Sequence, residues 1–367
     1  MTFDMPHTLG SYDPQDVTFL LKEVRLEATD ITEKERKIQS GEAHYSEMIS
    51  DERRPDERYL DLFKEARVSG DQRIAEDIVR LGQMICDQVN EGLLDTSIVL
   101  CSLVRAGLPY GVMLVRELRS RGIDAHHYGV SIIRDKGLDV NAMNHIIQEH
   151  GANGVVFVDG WTGKGAISNQ LSKSWNEITG KDPVLAVVAD PSGYATLSGS
   201  HEDWLIPSGI LGANISGLIS RTILNKDLIG PDDFHGTMSV EHLSDIDIST
   251  EFVDTITEIA DRIRADVLPH NTDSAHLADL RATAQACVQK ISHLYDVDNL
   301  NRIKPGIAEA TRAVLRRRPE KVFVRQIEGD KDLKALLHLC ATDNIDVVED
   351  PELTGPYRAI TLIGKAI

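Results

Sequence analysis

The sequence of 367 residues predicts an α/β fold, with a parallel, doubly wound sheet, helical N-terminal and hood regions, and a small α/β unit at the C-terminus. Two observations predict it. Between 97 and 190, short apolar runs alternate with helical patterns, as in chains that build a parallel sheet covered by helices. After Pro319 a compact order of strand, helix, strand and strand follows. We therefore predict a main domain over 1–315, with its core at about 95–225, and a small domain over 320–367.

The N-terminal part of the chain is predicted to be largely helical. An apolar face behind Asp13-Pro14 indicates a helix over 16–24. Two further helices are indicated over 59–68 and 74–92, the second by an apolar residue at every third or fourth position. A polar segment over 38–49 precedes them, and it is either a surface loop or a hood over the active site.

The alternating region contains four predicted strands with helices between them. The strands are predicted at 98–101, 125–133, 155–158 and 184–188, and the helices at 109–121, 141–150 and 166–178. Ligands of doubly wound sheets bind beyond the carboxyl ends of the strands. The loops 102–109, 134–139 and 159–165 are therefore expected to converge.

The charge, the cysteines and the apolar runs of the sequence exclude several classes of protein. The formal net charge is −19, so the chain as a whole repels nucleic acid and any RNA contact would need a local basic patch. The four cysteines show no C-x-x-C pairing, which argues against a structural zinc site or a disulfide framework and for a reducing, cytoplasmic compartment. No apolar run reaches the roughly 18 residues that a membrane span needs, so no membrane contact is expected.

The most informative stretch is 155–166. Four apolar residues predict a buried strand, Asp159 ends it, and a Thr-Gly-Lys-Gly turn leads into a helix. Backbone N–H groups at such a turn and the helix dipole together favour an anion. Asp159 is placed to accept hydrogen bonds from sugar hydroxyls or to meet a metal. The alternative is a tight turn without a ligand.

Two more loops carry cations. Arg105 follows a predicted strand within the run 103–109, where a guanidinium and free amides would grip a pyrophosphate. Its alternative is a surface ion pair. Arg134 and Lys136 lie in the loop 134–139, where they would close over a leaving group or form an exposed basic loop without function.

These runs resemble known families. The strand, acid and Thr-Gly of 155–163 resemble the ribose-5-phosphate loop of type I phosphoribosyltransferases, although one of that loop's two acids is missing, and Arg105 to Leu108 resembles the pyrophosphate loop of uracil phosphoribosyltransferases. The whole chain resembles the StiP-type phosphoribosyltransferase-like proteins of bacterial tellurite-resistance and stress clusters. The matching runs are 11–14, 38–48, 104–107, 158–165, 205–207, 216–222, 233–236 and 304–307. The tail resembles the Pelota-like RNA-binding module of some members.

The resemblance implies a phosphoribosyltransferase that uses phosphoribosyl pyrophosphate and Mg²⁺ to make or break an N-glycosidic bond to an unknown base-like acceptor. The residues implied for phosphoribosyl pyrophosphate are Val104, Arg105, Ala106, Gly107, Asp159, Gly160, Thr162, Gly163, Lys164 and Gly165. Those implied for catalysis are Asp159, Arg105, Arg134 and Lys136. Position alone suggests Asp190, Tyr194 and Asn214 for the acceptor. Mg²⁺ would be held mostly through its ligand, with Asp159 as the protein's contribution, and a homodimer is left open.

Two other function classes stay open. Some StiP-type proteins carry the label cysteine protease, and Cys101 with His44, His126 or His127 would be the candidate pair. A nucleophilic cysteine needs a histidine within reach and a depressed pKa, whereas Cys101 inside an apolar run is typical of a small core residue. The third class is a stress adaptor that has lost catalysis and binds RNA.

The stretch 302–325 is basic in an otherwise acidic chain. It carries Arg302, Lys304, Arg312, Arg316, Arg317, Arg318, Lys321 and Arg325. One interpretation is an RNA-binding patch within 302–367. The other is that Arg312 and 316–318 pair with acids of the main domain and tether the tail.

Overall fold

A computed structural model describes residues 9–269 and 273–365. The helices are α1 (Ile31–Ser40), α2 (Glu57–Asn90), α3 (Leu108–Ser120), α4 (Val140–His150), α5 (Ala166–Thr179), α6 (Ser249–Ile263), α7 (Ser274–Leu294), α8 (Ile307–Arg316), α9 (Lys334–Thr342) and α10 (Pro351–Thr354). The strands are β1 (Thr18–Phe19), β2 (Lys22–Glu23), β3 (Ser97–Leu103), β4 (Asp124–Val130), β5 (Ile132–Ile133), β6 (Gly137–Leu138), β7 (Val155–Trp161), β8 (Val184–Ala189), β9 (Leu197–Ser200), β10 (Gly236–Thr237), β11 (Ile303–Pro305), β12 (Pro319–Val324), β13 (Asp346–Glu349) and β14 (Ala359–Ile363).

The central sheet is parallel throughout, as predicted. Its strand order is β1-β4-β3-β7-β8-β9. The apolar run of β7 is covered on both faces, because Val156 and Val158 pack into one core cluster and Val155 and Phe157 into another. This two-sided burial explains why the run is continuous rather than alternating.

The helix predicted over 16–24 is wrong. β1 pairs in parallel with β4, and β2 pairs in parallel with β10, so this segment extends the sheet system instead. Leu20 and Leu21, at the turn between β1 and β2, pack into different clusters. Apolar residues that face both sides of an extended chain produce the same short pattern as a helix face.

The two helices predicted over 59–68 and 74–92 are one helix, α2, of 34 residues. Gly70 lies in the predicted break. A Cβ there would stand 2.6 Å from Pro207 Cγ, so the glycine permits a close contact rather than ending the helix. The contact puts α2 against the segment that follows β9.

The C-terminal unit is a four-stranded sheet of order β11-β14-β12-β13, as the compact pattern after Pro319 predicts. Its edge strand β11 and the start of the helix α8 come before 315, so this unit draws on residues that the sequence had assigned to the main domain. Thr361 Oγ1 donates to the Ala310 carbonyl oxygen at 3.1 Å, which joins β14 to α8. Over the two described ranges, no helix is long and apolar enough to cross a membrane.

Candidate functional site

The loops after β3, between β5 and β6, and after β7 surround one cavity of about 180 Å³, which we call the loop cavity. The main-domain residues that line it include Ala106, Arg134, Asp159 and all of 161–168. The sheet geometry alone predicts this convergence. The C-terminal unit supplies a further wall through Pro305, Glu309 and Arg312, which the sequence did not predict.

The turn after β7 is shaped by two glycines. Gly165 caps α5 in the left-handed region, at φ 81°, and a Cβ there would lie 2.4 Å from the Tyr194 ring. Gly160 lies against Tyr110, where a Cβ would stand 2.8 Å from a ring carbon. Only glycine fits such close approaches. The Thr-Gly-Lys-Gly turn is therefore built into the surrounding packing.

Thr162 and Asp190 join the ends of β7 and β8. The Thr162 amide donates to the Ala189 carbonyl oxygen at 3.0 Å, and its hydroxyl donates to the Asp190 carboxylate. Asp190 is completely buried and also accepts from the amides of Tyr194 and Ala195 at 3.0 and 2.9 Å. Its oxygens are thus occupied in holding the turn, and Asp190 does not line the loop cavity.

Tyr194 is likewise engaged away from the loop cavity. Its hydroxyl accepts from Gln285 Nε2 at 2.8 Å, and the Arg281 guanidinium lies over its ring, 5.0 Å from the centroid. Both partners belong to α7. The ring thus covers Gly165 on one side and meets α7 on the other.

Lys164 reaches toward the C-terminal unit. Its ammonium donates to the carbonyl oxygens of Leu300 and Ile303, the latter at 2.8 Å. Burial, helped by the nearby cations Lys304 and Arg134, lowers the pKa of Lys164 to about 6. In this arrangement the side chain is a clamp between two parts of the fold.

Asp159 is a half-buried carboxylate without an ion-pair partner in the described part of the chain. It accepts only from its neighbouring Gly160 amide, at 2.8 Å. Burial raises its pKa to about 7, and Arg312 opposes that rise. Arg312 lies over the Trp161 ring, 4.6 Å from its centroid. An acid that titrates near neutral pH therefore faces the loop cavity.

Arg134 lines the loop cavity, whereas Lys136 is exposed and does not. The Arg134 amide donates to the Tyr45 hydroxyl at 2.8 Å, so the hood segment packs on this loop. Arg134 also faces the ion pair of Lys304 and Glu309, whose atoms are 3.2 Å apart. Burial would raise the pKa of Glu309, but Lys304 and Arg134 lower it to about 2.

Arg105 points away from the loop cavity. Its guanidinium donates to the Ile219 carbonyl oxygen at 2.9 Å and pairs with Glu52. It lines a second cavity of about 210 Å³, which we call the junction cavity, together with Asn214. Beside Arg105, Val104 packs on the main core, and a Cβ on Gly107 would lie 2.1 Å from the Val158 carbonyl oxygen. Ala106 of this loop therefore lines the loop cavity, whereas the Arg105 guanidinium lines the junction cavity.

Within 9–269 and 273–365, no three acidic, histidine or cysteine side chains gather as a metal site. Asp159 and Glu309 are the acids that line the loop cavity. The Mg²⁺ that the sequence implied would have been held mostly by its ligand, so it stays a prediction.

Two family models match the chain. The first is described as tellurite-like stress resistance cysteine protease StiP and matches residues 10–257. The second is the PELOTA RNA binding domain, which matches 282–365. A curated relative, cysteine protease StiP of Acinetobacter baylyi, is 44% identical over 97% of this chain and 94% of its own length.

The chain belongs to the StiP family. The predicted resemblance to StiP-type proteins is confirmed, and so is the match of the tail to the Pelota module, but neither family model describes the chain as phosphoribosyltransferase-like. Its Pelota match begins within α7, earlier than the predicted boundary at 315–320, and includes β11 and α8.

Solved structures offer only a distant likeness. The hypoxanthine phosphoribosyltransferase of Trypanosoma cruzi is 13% identical, with a TM-score of 0.28 over 36% of this chain and 78% of that chain. A mutant of the same enzyme, in a ternary complex with its substrates, is 16% identical, with a TM-score of 0.29 over the same shares. Scores this low say nothing about activity.

The predicted phosphoribosyltransferase activity is wrong. The family model and the relative from Acinetobacter baylyi are both named for a cysteine protease, which is a hydrolase and not a glycosyltransferase. The predictions that the chain is a transferase and that it binds phosphoribosyl pyrophosphate are wrong for the same reason. The sequence misled because an acid followed by Thr-Gly after a strand is a local pattern, and a local pattern does not fix the reaction.

The four thiols of this StiP-family chain differ in exposure. Cys101 is completely buried in β3, Cys287 and Cys340 are buried, and Cys86 alone is half-buried. Burial raises the pKa of every one of them, and it raises that of Cys340 to about 12. The interpretation of Cys101 as a core residue is confirmed by its place among apolar side chains.

None of these thiols has a histidine hydrogen-bond partner among the described residues. His127 Nε2 instead lies 2.7 Å from Ser102 Oγ, and its Nδ1 lies 2.7 Å from the Asp16 carbonyl oxygen. Burial lowers the pKa of His127 to about 4. A Cβ on Gly111 would stand 2.0 Å from Ser102 Oγ, which leaves no space for a substrate beside the hydroxyl.

The other two candidate histidines lie apart from the thiols. His44 Nδ1 is 2.8 Å from Ser46 Oγ in the hood segment. His126 lies 3.4 Å from Asp124 and stacks on His150 with a centroid distance of 4.5 Å. Neither arrangement orients an imidazole toward sulfur.

Sequence reasoning missed the contribution of α8. Arg312 and Glu309 line the loop cavity, and Arg316 lines the junction cavity. Their spacing of three and four residues places them along one side of a helix. That periodicity was visible in the sequence, but nothing local showed that this side faces the main domain.

Proposed function

We propose that this chain is a cysteine protease of the StiP type that acts in a tellurite-type stress response. The observation that carries the proposal is its 44% identity over nearly its full length to the protein of that name. A cytoplasmic location belongs to the same proposal, because free thiols such as these four persist in reducing compartments.

The proposal has a physical condition. Cysteine proteolysis needs a thiolate that attacks the peptide carbonyl and a base that accepts its proton. In the folded state described here every thiol has a raised pKa, so one must change its surroundings on substrate binding. Cys86 needs the smallest change, because it is half-buried and Arg121 favours its thiolate. Cys101 would need β3 to leave the centre of the sheet.

The test is a set of four single Cys→Ser variants and one variant without cysteine, assayed on a fluorogenic protein substrate. We expect one single variant and the cysteine-free variant to lose the activity, and the same thiol to be alkylated in proportion to inhibition. Undiminished proteolysis by the cysteine-free protein, or no proteolysis by the wild type, would refute the proposal.

A second function, RNA binding by the C-terminal unit, is favoured by the Pelota match over 282–365. The proposed contact surface is not the whole basic stretch, because many of its cations turn inward. Arg302 and Lys304 are buried beside Glu320 and Glu309, and Arg317 pairs with the buried Glu35 of α1. The pair of Arg317 and Glu35 agrees with the tethering interpretation, whereas Arg302 and Lys304 pair within the C-terminal unit itself.

Arg318 and Lys365 are the exposed cations that we place at the RNA contact. They line one small cleft of about 80 Å³ between α1 and the ends of β12 and β14, where Glu33 and Glu35 of α1 also contribute to the lining. Deleting the tail is a poor test, since it would remove three of the four strands of that sheet. Charge reversal in the full chain is a better one.

We expect the double variant Arg318→Glu and Lys365→Glu to bind structured RNA more weakly and with a shallower dependence on salt. Each lost phosphate contact lowers the slope of log K against log salt by about one. The exposed Lys226→Glu serves as the control for net charge. Equal weakening in the control would show that the effect is not local, and RNA binding that is insensitive to salt would exclude the cleft.

A further inference from the structure

The junction cavity is the larger of the two cavities and lies where three parts of the fold meet. The segment between α1 and α2 forms one wall, the segment 210–214 after β9 another, and α8 and α9 of the C-terminal unit the third. Its volume is about 210 Å³. A ligand for it is a small metabolite and not a polymer.

Arg316, the last residue of α8, is the central observation. It lines the junction cavity, is half-buried, and has no hydrogen-bond or ion-pair partner in 9–269 or 273–365. Its neighbours on the same segment do have partners, since Arg312 stacks on Trp161 and Arg317 pairs with Glu35. A guanidinium carries five donors and a permanent charge, so an unpaired one in a cavity wall is a donor set without an acceptor.

Three more cations line the inner part of the same cavity, while the exposed Arg53 and Arg54 lie at its mouth. Lys34 donates to the Ser50 hydroxyl at 3.0 Å, and Arg221 donates to the carbonyl oxygens of Tyr45 and Met48. Of these three, Arg105 alone has a carboxylate partner within the described ranges, Glu52. The inner wall therefore holds four cations and one carboxylate.

The pKa shifts of the groups in this wall agree with an excess of positive charge. Burial and repulsion from Arg221 lower the pKa of Lys34 to about 8. Burial, helped by Arg105 and Arg316 and opposed by Tyr45 and Glu52, lowers the pKa of Arg221 to about 10. Burial would raise the pKa of Glu52, but Arg105 and Arg316 lower it to about 2. The acids at the mouth, Asp51, Asp56 and Asp343, are exposed.

The rest of the wall is apolar. It includes Ile31, Ile49, Ile210, Leu315 and Leu339. A site that joins a few convergent charges to an apolar lining is typical of small-molecule binding. The charges select an anion, and the apolar side chains accept a carbon body.

We propose that the junction cavity binds a small organic phosphate, with the phosphate on Arg316, Lys34 and Arg221 and the carbon body against the apolar wall. A phosphate monoester carries between one and two negative charges at neutral pH and offers three acceptor oxygens, which matches the excess of three positive charges better than a carboxylate does. Because α8 and α9 form part of the wall, the ligand would join the C-terminal unit to the main domain. This site is separate from the loop cavity and from the thiols.

The test is calorimetric titration of the full chain with phenyl phosphate, which combines a phosphate with a small apolar body. Phenol is the probe without charge, and benzoate the probe with a single charge. We expect phenyl phosphate to bind with a Kd below about 1 mM, benzoate to bind more weakly and phenol not at all. Absence of phenyl phosphate binding, or equal binding of phenol, would overturn the proposal.

Matched variants locate the site. Arg316→Ala should weaken phenyl phosphate binding at least about tenfold, whereas Arg262→Ala, which removes an exposed arginine of α6, should leave it unchanged. Arg316→Lys should recover part of the affinity. If Arg316→Ala melts early, Lys34→Met gives the same comparison from the opposite wall. Equal affinity in wild type and Arg316→Ala, or an equal loss in Arg262→Ala, would refute the assignment.

Discussion

The hydroxyl group of Tyr357 donates a 3.1 Å hydrogen bond to the carbonyl oxygen of Gly163, so the C-terminal unit contacts the loop after β7 directly. Tyr357 is completely buried at this contact. Nearby, Asp203 accepts from the amides of Ile307 and Arg358 at distances of 3.0 and 2.6 Å. The two units are therefore joined by hydrogen bonds between side chains of one unit and backbone groups of the other, and they should unfold together.

Replacing Lys164 should loosen this junction. Lys164→Met leaves the carbonyl oxygens of Leu300 and Ile303 without their donor, which costs about 1–3 kcal/mol of unfolding free energy. Urea denaturation measures the loss. Lys173→Met, on the exposed side of α5, is the control and should change stability by less than about 0.5 kcal/mol. A Lys164 variant as stable as the control would show that the clamp contributes nothing.

Asp159 should make stability depend on pH. Its pKa is raised from 3.8 to about 7 by burial, so between about pH 4 and pH 7 the folded protein holds a proton that the unfolded chain releases. Stability from this group is therefore present below pH 4 and falls as pH rises through 7. Asp159→Asn should remove that fall, on the order of 2 kcal/mol after allowance for partial exposure.

The measurement for Asp159 is the difference in unfolding free energy between pH 5 and pH 8, taken for both proteins. The exposed Asp182→Asn, at the start of the segment before β8, is the control. Identical pH profiles for wild type and Asp159→Asn would mean that this carboxyl is already ionised at pH 5 in the folded protein.

Alanine substitutions at Gly165 and Gly180 should distinguish the cost of backbone strain from the cost of steric overlap. Both lie in the left-handed region, at φ 81° and 71°, but a Cβ on Gly180 meets nothing within 4 Å, whereas one on Gly165 meets the Tyr194 ring at 2.4 Å. Gly180→Ala should cost about 1 kcal/mol from backbone strain alone. Gly165→Ala should cost about 1–3 kcal/mol more, because the ring must move. Thermal denaturation of the pair checks this, and equal melting temperatures would contradict it.

Cys101 should behave as a core residue. Cys101→Ser places a hydroxyl in a fully buried apolar site and should cost about 1–3 kcal/mol. Cys86→Ser, at a half-buried site, should cost less than that. With iodoacetamide under native conditions, Cys86 should be labelled well before Cys101. The reverse order of labelling would show that the Cys101 thiol in β3 becomes exposed to solvent more often than the Cys86 thiol in α2.

Local pattern was enough for the strands and helices around the loop cavity. The apolar run of β7, the glycines after it and the helical spacing of α5 lie within about two dozen consecutive residues, so they are legible without any tertiary contact. The parallel order followed from the alternation of strands and helices, and the convergence of the loops followed from the parallel order.

Where each charged side chain points was decided by the tertiary structure. Arg105 turns to Glu52, and Lys164 turns to Ile303, partners that lie 53 and 139 positions away in the chain. Sequence spacing carries no information about such pairs, because the choice among competing acceptors depends on which elements pack together. The same packing made one helix of 57–90 and turned much of the basic stretch inward.

The sequence by itself determined the parallel sheet, the turn after β7 and the C-terminal strands, because short-range periodicity and glycine stereochemistry specify them. Only the tertiary structure decided that α8 closes the loop cavity, that Arg316 has no acceptor among the residues that the structure describes and that all four thiols are kept from ionising. Which side chains are buried and which are paired depends on contacts between residues far apart in the chain, and the local sequence pattern does not show these contacts.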